Sequence, residues 1–169
     1  EVTSEVGIGT TFVVEIPFEI APPPEEFPVK EAAPSGDIHG LKLLLAEDNE
    51  LNADIAETLL TDAGAHVTIV KNGKKAVDCF EAAPPGTFDA ILMDVMMPVM
   101  DGLAATRAIR AIPRADARQI PILAMTANAF EEDARQCLAA GMNVHLAKPL
   151  QMDKVLAALM ECCGKKKDL

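Results

Sequence analysis

Five polar residues, each standing where an apolar run gives out, are the part of this sequence that could do chemistry. They are Glu47 and Asp48 after residues 41–46, Asp94 after 90–93, Thr126 after 120–125, and Lys148 after 144–147. If those runs lie side by side in one sheet and point the same way, three carboxylates gather at one rim. Two such charges 4 Å apart repel by about 1 kcal/mol in water and about 4 kcal/mol at an effective dielectric near 20. The cluster therefore calls for a cation. Oxygen donors alone, and few of them, suit Mg²⁺, which keeps several waters and accepts one or two carboxylates together with phosphate oxygens. A carboxylate beside such an ion can attack phosphorus while the ion and a lysine offset charge on the equatorial oxygens. Asp94 fits that role because it is the acid of the most hydrophobic run. Thr126 would donate its hydroxyl to a phosphoryl oxygen. Lys148 would pair with Asp94 before transfer and with the phosphoryl group afterwards.

Each residue also has a blander explanation. Glu47 and Asp48 could simply offset the dipole of a following helix, Thr126 could merely end a strand, and Lys148 could be solvated. Asn128 followed by Glu131 fits a capping box and reads as structural rather than catalytic. What sets the chemical reading above these is the joint placement of all five at successive strand ends.

The elements that must position them follow from the apolar pattern. Residues 41–46, 67–70, 90–93, 120–125 and 144–147 are short, continuous apolar runs, the mark of parallel strands buried on both faces. Between them, Leu51, Ile55, Leu59 and Leu60, and later Met152, Val155, Leu156 and Leu159, recur at the three-and-four spacing of helices with one apolar stripe. Repeated βα units predict an α/β fold with helices on both faces of a parallel sheet. Right-handed crossovers then bring every strand's carboxyl end to one rim, where open sheets of this kind bind ligands.

Ahead of this region, Phe12, Val14, Ile16 and Phe18 alternate within residues 11–18, after Gly7-Ile8-Gly9-Thr10, which predicts a strand entered by a flexible turn. One strand cannot make a core, so it reads as the remnant of a larger domain or as an arm. A phosphate loop at Gly7 and Gly9 is a weak reading, since no helix follows to present its N-terminus. Residues 21–35 hold Pro22, Pro23, Pro24, Pro28 and Pro34 among glutamates and read as an extended, hydrated linker.

Composition narrows the function classes. The 169 residues, 50% of them hydrophobic, suffice for one domain with a sizeable core. Net charge is −11, with eight acids against one base in residues 1–40 and eighteen against fourteen in the rest, which argues against nucleic acid as a partner. Lys165-Lys166-Lys167 reads as a solvated tail or a helix C-terminal charge match. No apolar run approaches the roughly 18 residues of a membrane span, and Glu1 begins neither a signal peptide nor a targeting sequence, so a soluble chain without membrane contact is expected. Cys79, Cys137, Cys162 and Cys163 lack metal-binding spacing and read as free thiols in a reducing cytosol.

The segments Leu44-Leu45-Ala46-Glu47-Asp48-Asn49, Met93-Asp94-Val95-Met96-Met97-Pro98-Val99-Met100-Asp101-Gly102, Met125-Thr126-Ala127 and Lys148-Pro149-Leu150 together closely resemble the receiver domain of two-component response regulators. The resemblance covers residues 41–163 and extends to the intervals: 46 positions from Asp48 to Asp94, 32 to Thr126 and 22 to Lys148. It implies a doubly wound, flavodoxin-like sheet of order 2-1-3-4-5. It implies Mg²⁺ held by Asp48, Asp94 and the backbone carbonyl of Met96, with Glu47 acting through water. It implies that Asp94 takes a phosphoryl group from a phosphohistidine on a histidine kinase dimerisation domain or a histidine phosphotransfer protein. Thr126 and His145 take the family's switch positions, and Lys148-Pro149 its cis peptide. The resemblance leaves homodimerisation open.

Ser4-Glu5-Val6-Gly7-Ile8-Gly9-Thr10-Thr11-Phe12 through Ile16-Pro17 resembles the end of a histidine-kinase ATP-binding domain. The implied parent is a hybrid sensor histidine kinase, its receiver on the cytoplasmic side. The implied division is a kinase remnant over 1–20, a linker over 21–40, the receiver over 41–163 and a polar tail over 164–169. None of His39, His66 or His145 sits in a phosphoacceptor helix context, and the nucleotide-binding elements of a kinase are absent, so neither kinase nor ATPase activity is expected of these residues. An aspartyl phosphatase or dehalogenase would resemble its kind in carrying a second acid two residues after the nucleophile, where Met96 stands. A DNA-binding regulator would need an output domain after residue 163, and an inactive scaffold or dimerisation receiver would not need the complete set of five polar residues.

Overall fold

The computed structural model describes residues 1–15, 38–127 and 131–164, with Glu131 described by its backbone alone. They fall into two units, one ending at Ala32 and one beginning at Ala33. The first holds a hairpin of β1 (Val2–Glu5) and β2 (Gly9–Phe12), antiparallel, with Val2 opposite Phe12 and Glu5 opposite Gly9. Gly7, at φ +83°, takes the left-handed conformation that a side chain would disfavour. The single strand expected over residues 11–18 is thus corrected: the second strand begins two residues earlier and ends at Phe12, and a first strand precedes it. The cue was missed because Val2–Glu5 has no apolar alternation. Phe12 and Val14 lie exposed rather than against a core, and Ile16, Phe18 and the proline-rich stretch fall outside the described residues.

The second unit is built on β3 (Lys42–Ala46), β4 (His66–Val70), β5 (Ala90–Asp94), β6 (Ile122–Thr126) and β7 (Val144–Ala147). All five are parallel, in spatial order β4-β3-β5-β6-β7, which is the order 2-1-3-4-5 when these strands are counted along the chain. Alternate residues of each central strand go to opposite faces, and both faces are apolar. Leu44, Ile91, Met93 and Ile122 pack with Ala76, Phe80 and Ile109 on one side. Leu43, Leu45, Leu92, Leu123 and Met125 pack with Leu60, Val155 and Leu159 on the other. Burial on both sides is why the strands read as continuous runs rather than alternations.

The helices are α1 (Glu50–Asp62), α2 (Gly73–Ala82), α3 (Gly102–Ala111), α4 (Ala115–Gln119), α5 (Glu131–Ala140) and α6 (Met152–Cys163). Among the described helix starts, three have side-chain caps, with Asn49, Asn72 and Asp101 accepting from the backbone N–H groups of Asn52, Lys75 and Ala104. Each such cap contributes about 1 kcal/mol. The short α4 has no apolar stripe long enough to announce it. The capping box read at Asn128 falls outside the described residues.

One pattern reading needs correction. Of the stripe Leu51, Ile55, Leu59 and Leu60, only Leu60 reaches the core, beside Ala53 and Ala56. Leu51 is 68% exposed and Ile55 52%. At about 100° per residue the two rows lie roughly 130° apart round the helix, so α1 sets Ala53, Ala56 and Leu60 against the sheet and Leu51, Ile55 and Leu59 outward. In α6 the expected Val155 and Leu159 are buried, with Met152 and Leu156 at the margin.

Candidate active site

The rim at the strands' carboxyl ends is assembled by the ladder itself. Glu47 follows β3 directly, and its backbone N–H donates to the carbonyl of Val70, so the residue still belongs to the sheet and is only 3% exposed. Asp48 comes next and faces solvent. Asp94 closes β5, in register with Met125, and Thr126 closes β6 one residue further on; both are buried. The Lys148 N–H donates to the Thr126 carbonyl at 2.7 Å, which carries the β6–β7 pairing one step beyond β7 and sets the lysine at the same level.

The side chains converge. One carboxylate oxygen from each of Glu47, Asp48 and Asp94 lies within 4.8 Å of the others. The Lys148 ammonium donates to Asp94 Oδ2 at 2.6 Å and equally to Glu47 Oε2 at 2.6 Å. It therefore bridges two acids, where the sequence had suggested pairing with Asp94 alone. The other Glu47 oxygen accepts from the Asn52 side-chain amide at 3.1 Å, and Asp94 Oδ1 accepts from the Met96 N–H at 3.1 Å.

Electrostatics follow from this packing. Burial drives the Asp94 carboxyl above the usual carboxylate range, against the downward pull of the Lys148 ammonium. Burial also opposes charge on Lys148, but the bonds to Asp94 and Glu47 together outweigh it and hold the ammonium above the ordinary lysine range. The helix-dipole account of Glu47 does not fit this geometry, because Asn49 caps α1 and Glu47 is turned to Lys148. Lys148 is likewise not a solvated tether. The set of hard oxygen donors, two of them buried and one open to solvent, fits a small divalent cation with room for water.

Of the remaining sequence candidates, Met96 follows the acid with its side chain 74% exposed. His145 is half-buried on β7, in register with Ala124, two residues short of the rim, and so outside the cluster. The Lys148–Pro149 bond is cis.

The loop from Asp94 to α3 is held from three sides. Val95 N–H donates to Met125, Gly102 N–H to Val95, and Gly73 N–H to Met100. Within it Val99 sits at φ +71°, and Met100 N–H donates to Pro98 across it at 2.8 Å, a three-residue turn of the strained hand. A β-branched residue is ill suited to that region. Val99→Gly is therefore expected to stabilise the fold by about 1 kcal/mol, seen as a melting temperature raised by about 3 °C in thermal denaturation.

A family model for the response regulator receiver domain matches residues 43–160. The chain belongs to that family. Among its relatives, the chain shares 37% identity over 161 residues with the aerobic respiration control sensor protein ArcB of Escherichia coli, covering 94% of this chain and 19% of that protein. It is 43% identical to the crystal structure of the receiver domain of a Pseudomonas aeruginosa sensor histidine kinase, which holds a magnesium ion in its active-site cleft. That likeness covers 74% of this chain and 98% of the other, at a TM-score of 0.67. It is 26% identical, at a TM-score of 0.67 and over 76% and 92% of the two chains, to a Saccharomyces cerevisiae co-crystal of the histidine phosphotransfer protein Ypd1 with the Ssk1 receiver. The chain spans 6 to 19% of the length of its hybrid-kinase and sensor relatives. No described helix is long and apolar enough to cross a membrane.

Proposed function

We propose that this receiver takes a phosphoryl group onto Asp94 from a phosphohistidine, with Mg²⁺ as cofactor, as a step of a phosphorelay. The observation that carries the reading is the convergence of the Glu47, Asp48 and Asp94 carboxylates and the Lys148 ammonium at one rim. Asp48, Asp94 and the Met96 carbonyl would hold the cation, with Glu47 beside them, and bound there it supplies charge stabilisation to the phosphoryl oxygens. An Asp94 oxygen forms the new bond to phosphorus as the bond from the donor's imidazole nitrogen breaks. Lys148, already within reach of Asp94, passes from the carboxylate to the phosphoryl oxygens. Thr126, at the neighbouring strand end, takes one of those oxygens with its hydroxyl, and His145 follows on β7, shifting the population between two packings.

The exposed row Leu51, Ile55 and Leu59 supports docking of a helical phosphohistidine partner. It stands beside a groove reaching from Ile55 and Leu59 to Glu47, Lys148 and Leu150, so a helix laid there brings its side chains to the acidic rim. For the whole chain, the proposed parent is a hybrid sensor histidine kinase. Residues 1–20 then end its ATP-binding domain, 21–40 link, 41–163 form the receiver and 164–169 the tail. The exposed apolar side chains of the hairpin, Val2, Ile8 and Phe12, support this, since they need a packing surface that the hairpin lacks by itself. So does the ArcB likeness, which runs over nearly the whole chain.

Incubation with acetyl phosphate and Mg²⁺ should give an acid-stable, base-labile adduct that does not form when the metal is chelated beforehand. Labelling that persists without metal, or that maps to a residue other than Asp94, would refute the assignment. With a phosphohistidine protein as donor, Ile55→Lys should slow transfer about tenfold while leaving the acetyl phosphate rate alone.

A further inference from the structure

Glu47 is the most enclosed acid of the rim and both of its oxygens are engaged, Oε2 by the Lys148 ammonium and Oε1 by the Asn52 amide. The two partners differ in kind. Lys148 brings a charge and is shared with Asp94, so its hold on Glu47 weakens whenever it turns to another anion. Asn52 brings a donor without charge. It can fix the direction of the carboxylate while leaving the negative potential that attracts a cation.

The placement of Asn52 makes this a dedicated contact. It is the third residue of α1, and its backbone N–H is taken by the Asn49 cap at 3.1 Å. A long polar side chain at that position commonly folds back onto the cap residue's own N–H. Here the amide instead crosses to Glu47, five positions earlier and on a different element. Asn52 also borders the groove beside Ile55 and Leu59, so the helix carrying the exposed apolar row is tied through one side chain to the acidic cluster.

We infer that Asn52 is a positioning residue: its amide holds the Glu47 carboxylate in the orientation the cation site requires and couples α1 to that site. The inference rests on the metal-dependent phosphoacceptor reading above. Partners that orient a metal-site carboxylate from behind typically change metal affinity about 10- to 100-fold when removed.

The test is a double-mutant cycle on Mg²⁺ binding, measured by calorimetry on the unphosphorylated full chain: wild type, Asn52→Leu, Glu47→Gln and the double variant. Leucine is a better helix former than asparagine, so the substitution does not itself weaken α1, and a purely structural role predicts at most a shifted melting temperature with unchanged Mg²⁺ affinity. Asn52→Leu is expected to weaken Mg²⁺ about tenfold in the wild-type background and to have no further effect once Glu47→Gln is present. Asn52→Gln, which keeps the amide, should recover part of the loss. Unchanged affinity in Asn52→Leu, or an equal loss in both backgrounds, overturns the inference while leaving the phosphoacceptor reading intact. A wild-type chain that binds no Mg²⁺ overturns both.

Discussion

Asp94→Asn is expected to abolish phosphoryl labelling, by at least about 10³-fold, in a protein that stays folded. Asparagine keeps the shape of the side chain and its acceptor for the Met96 N–H, but it offers no anionic oxygen to phosphorus. Stability should move the other way. Burial raises the Asp94 pKa, so in the metal-free chain the folded state holds this proton more tightly than the unfolded state does. Its ionisation then costs stability as pH rises from the ordinary carboxylate range through the raised folded value. Asparagine cannot ionise and escapes that cost. In the presence of a chelator the variant should therefore melt at or above the wild-type temperature at neutral pH, with the gap narrowing as the buffer is made acidic. A variant that melts far below wild type at neutral pH would mean that the Lys148–Asp94 pair holds the fold together, against the burial argument. Residual labelling near the wild-type rate would remove Asp94 from the chemistry altogether.

That Asp94, Glu47, Asp48 and Lys148 meet was legible in the sequence because each terminates an apolar run and parallel strands share one rim. Periodicity needs only type and order to deliver such a result. What it could not deliver was rotation and reach. The apolar stripe of α1 was visible, but alanines at Ala53 and Ala56 carry too little hydrophobic signal to announce that they, rather than Leu51 and Ile55, face the sheet. The Lys148 bridge to Glu47 spans 101 positions of chain and depends on how far β7 extends past its partner, which no local pattern records. Asn52 was missed for a related reason: read locally, an asparagine three residues after another is a helix-start signal, and the side chain's true acceptor lies outside the helix. The hairpin was half-seen because its first strand is polar and exposed, so only hydrogen bonding, not burial, defines it.

Glycine positions carry a similar lesson, and one of them should decide folding. Gly102→Ala is expected to destabilise the receiver by about 3 kcal/mol and to lower its melting temperature by about 10 °C. A Cβ on Gly102 would stand 2.2 Å from the Asp94 carbonyl oxygen and 3.0 Å from Met93 Cγ. The oxygen cannot retreat, since β5 is hydrogen-bonded to β3 on one side and β6 on the other, and Gly102 is itself fixed by its N–H bond to Val95. Conformation is not the issue there, for Gly102 opens α3 without a positive φ. Gly40 supplies the contrast. It sits at φ +80°, and no atom of the described residues lies within 4 Å of where a Cβ would stand, so Gly40→Ala carries only the left-handed penalty of roughly 1 kcal/mol. Thermal melts of the two variants should separate by that difference. Because relief at Gly102 can come only by moving the backbone of Asp94, the proposed phosphoacceptor, the folded fraction of Gly102→Ala should also label slowly below its melting temperature. Asp94→Asn should lose labelling and keep stability and Gly102→Ala should lose both, because the proposed nucleophile and the tightest backbone contact at Gly102 are the same residue.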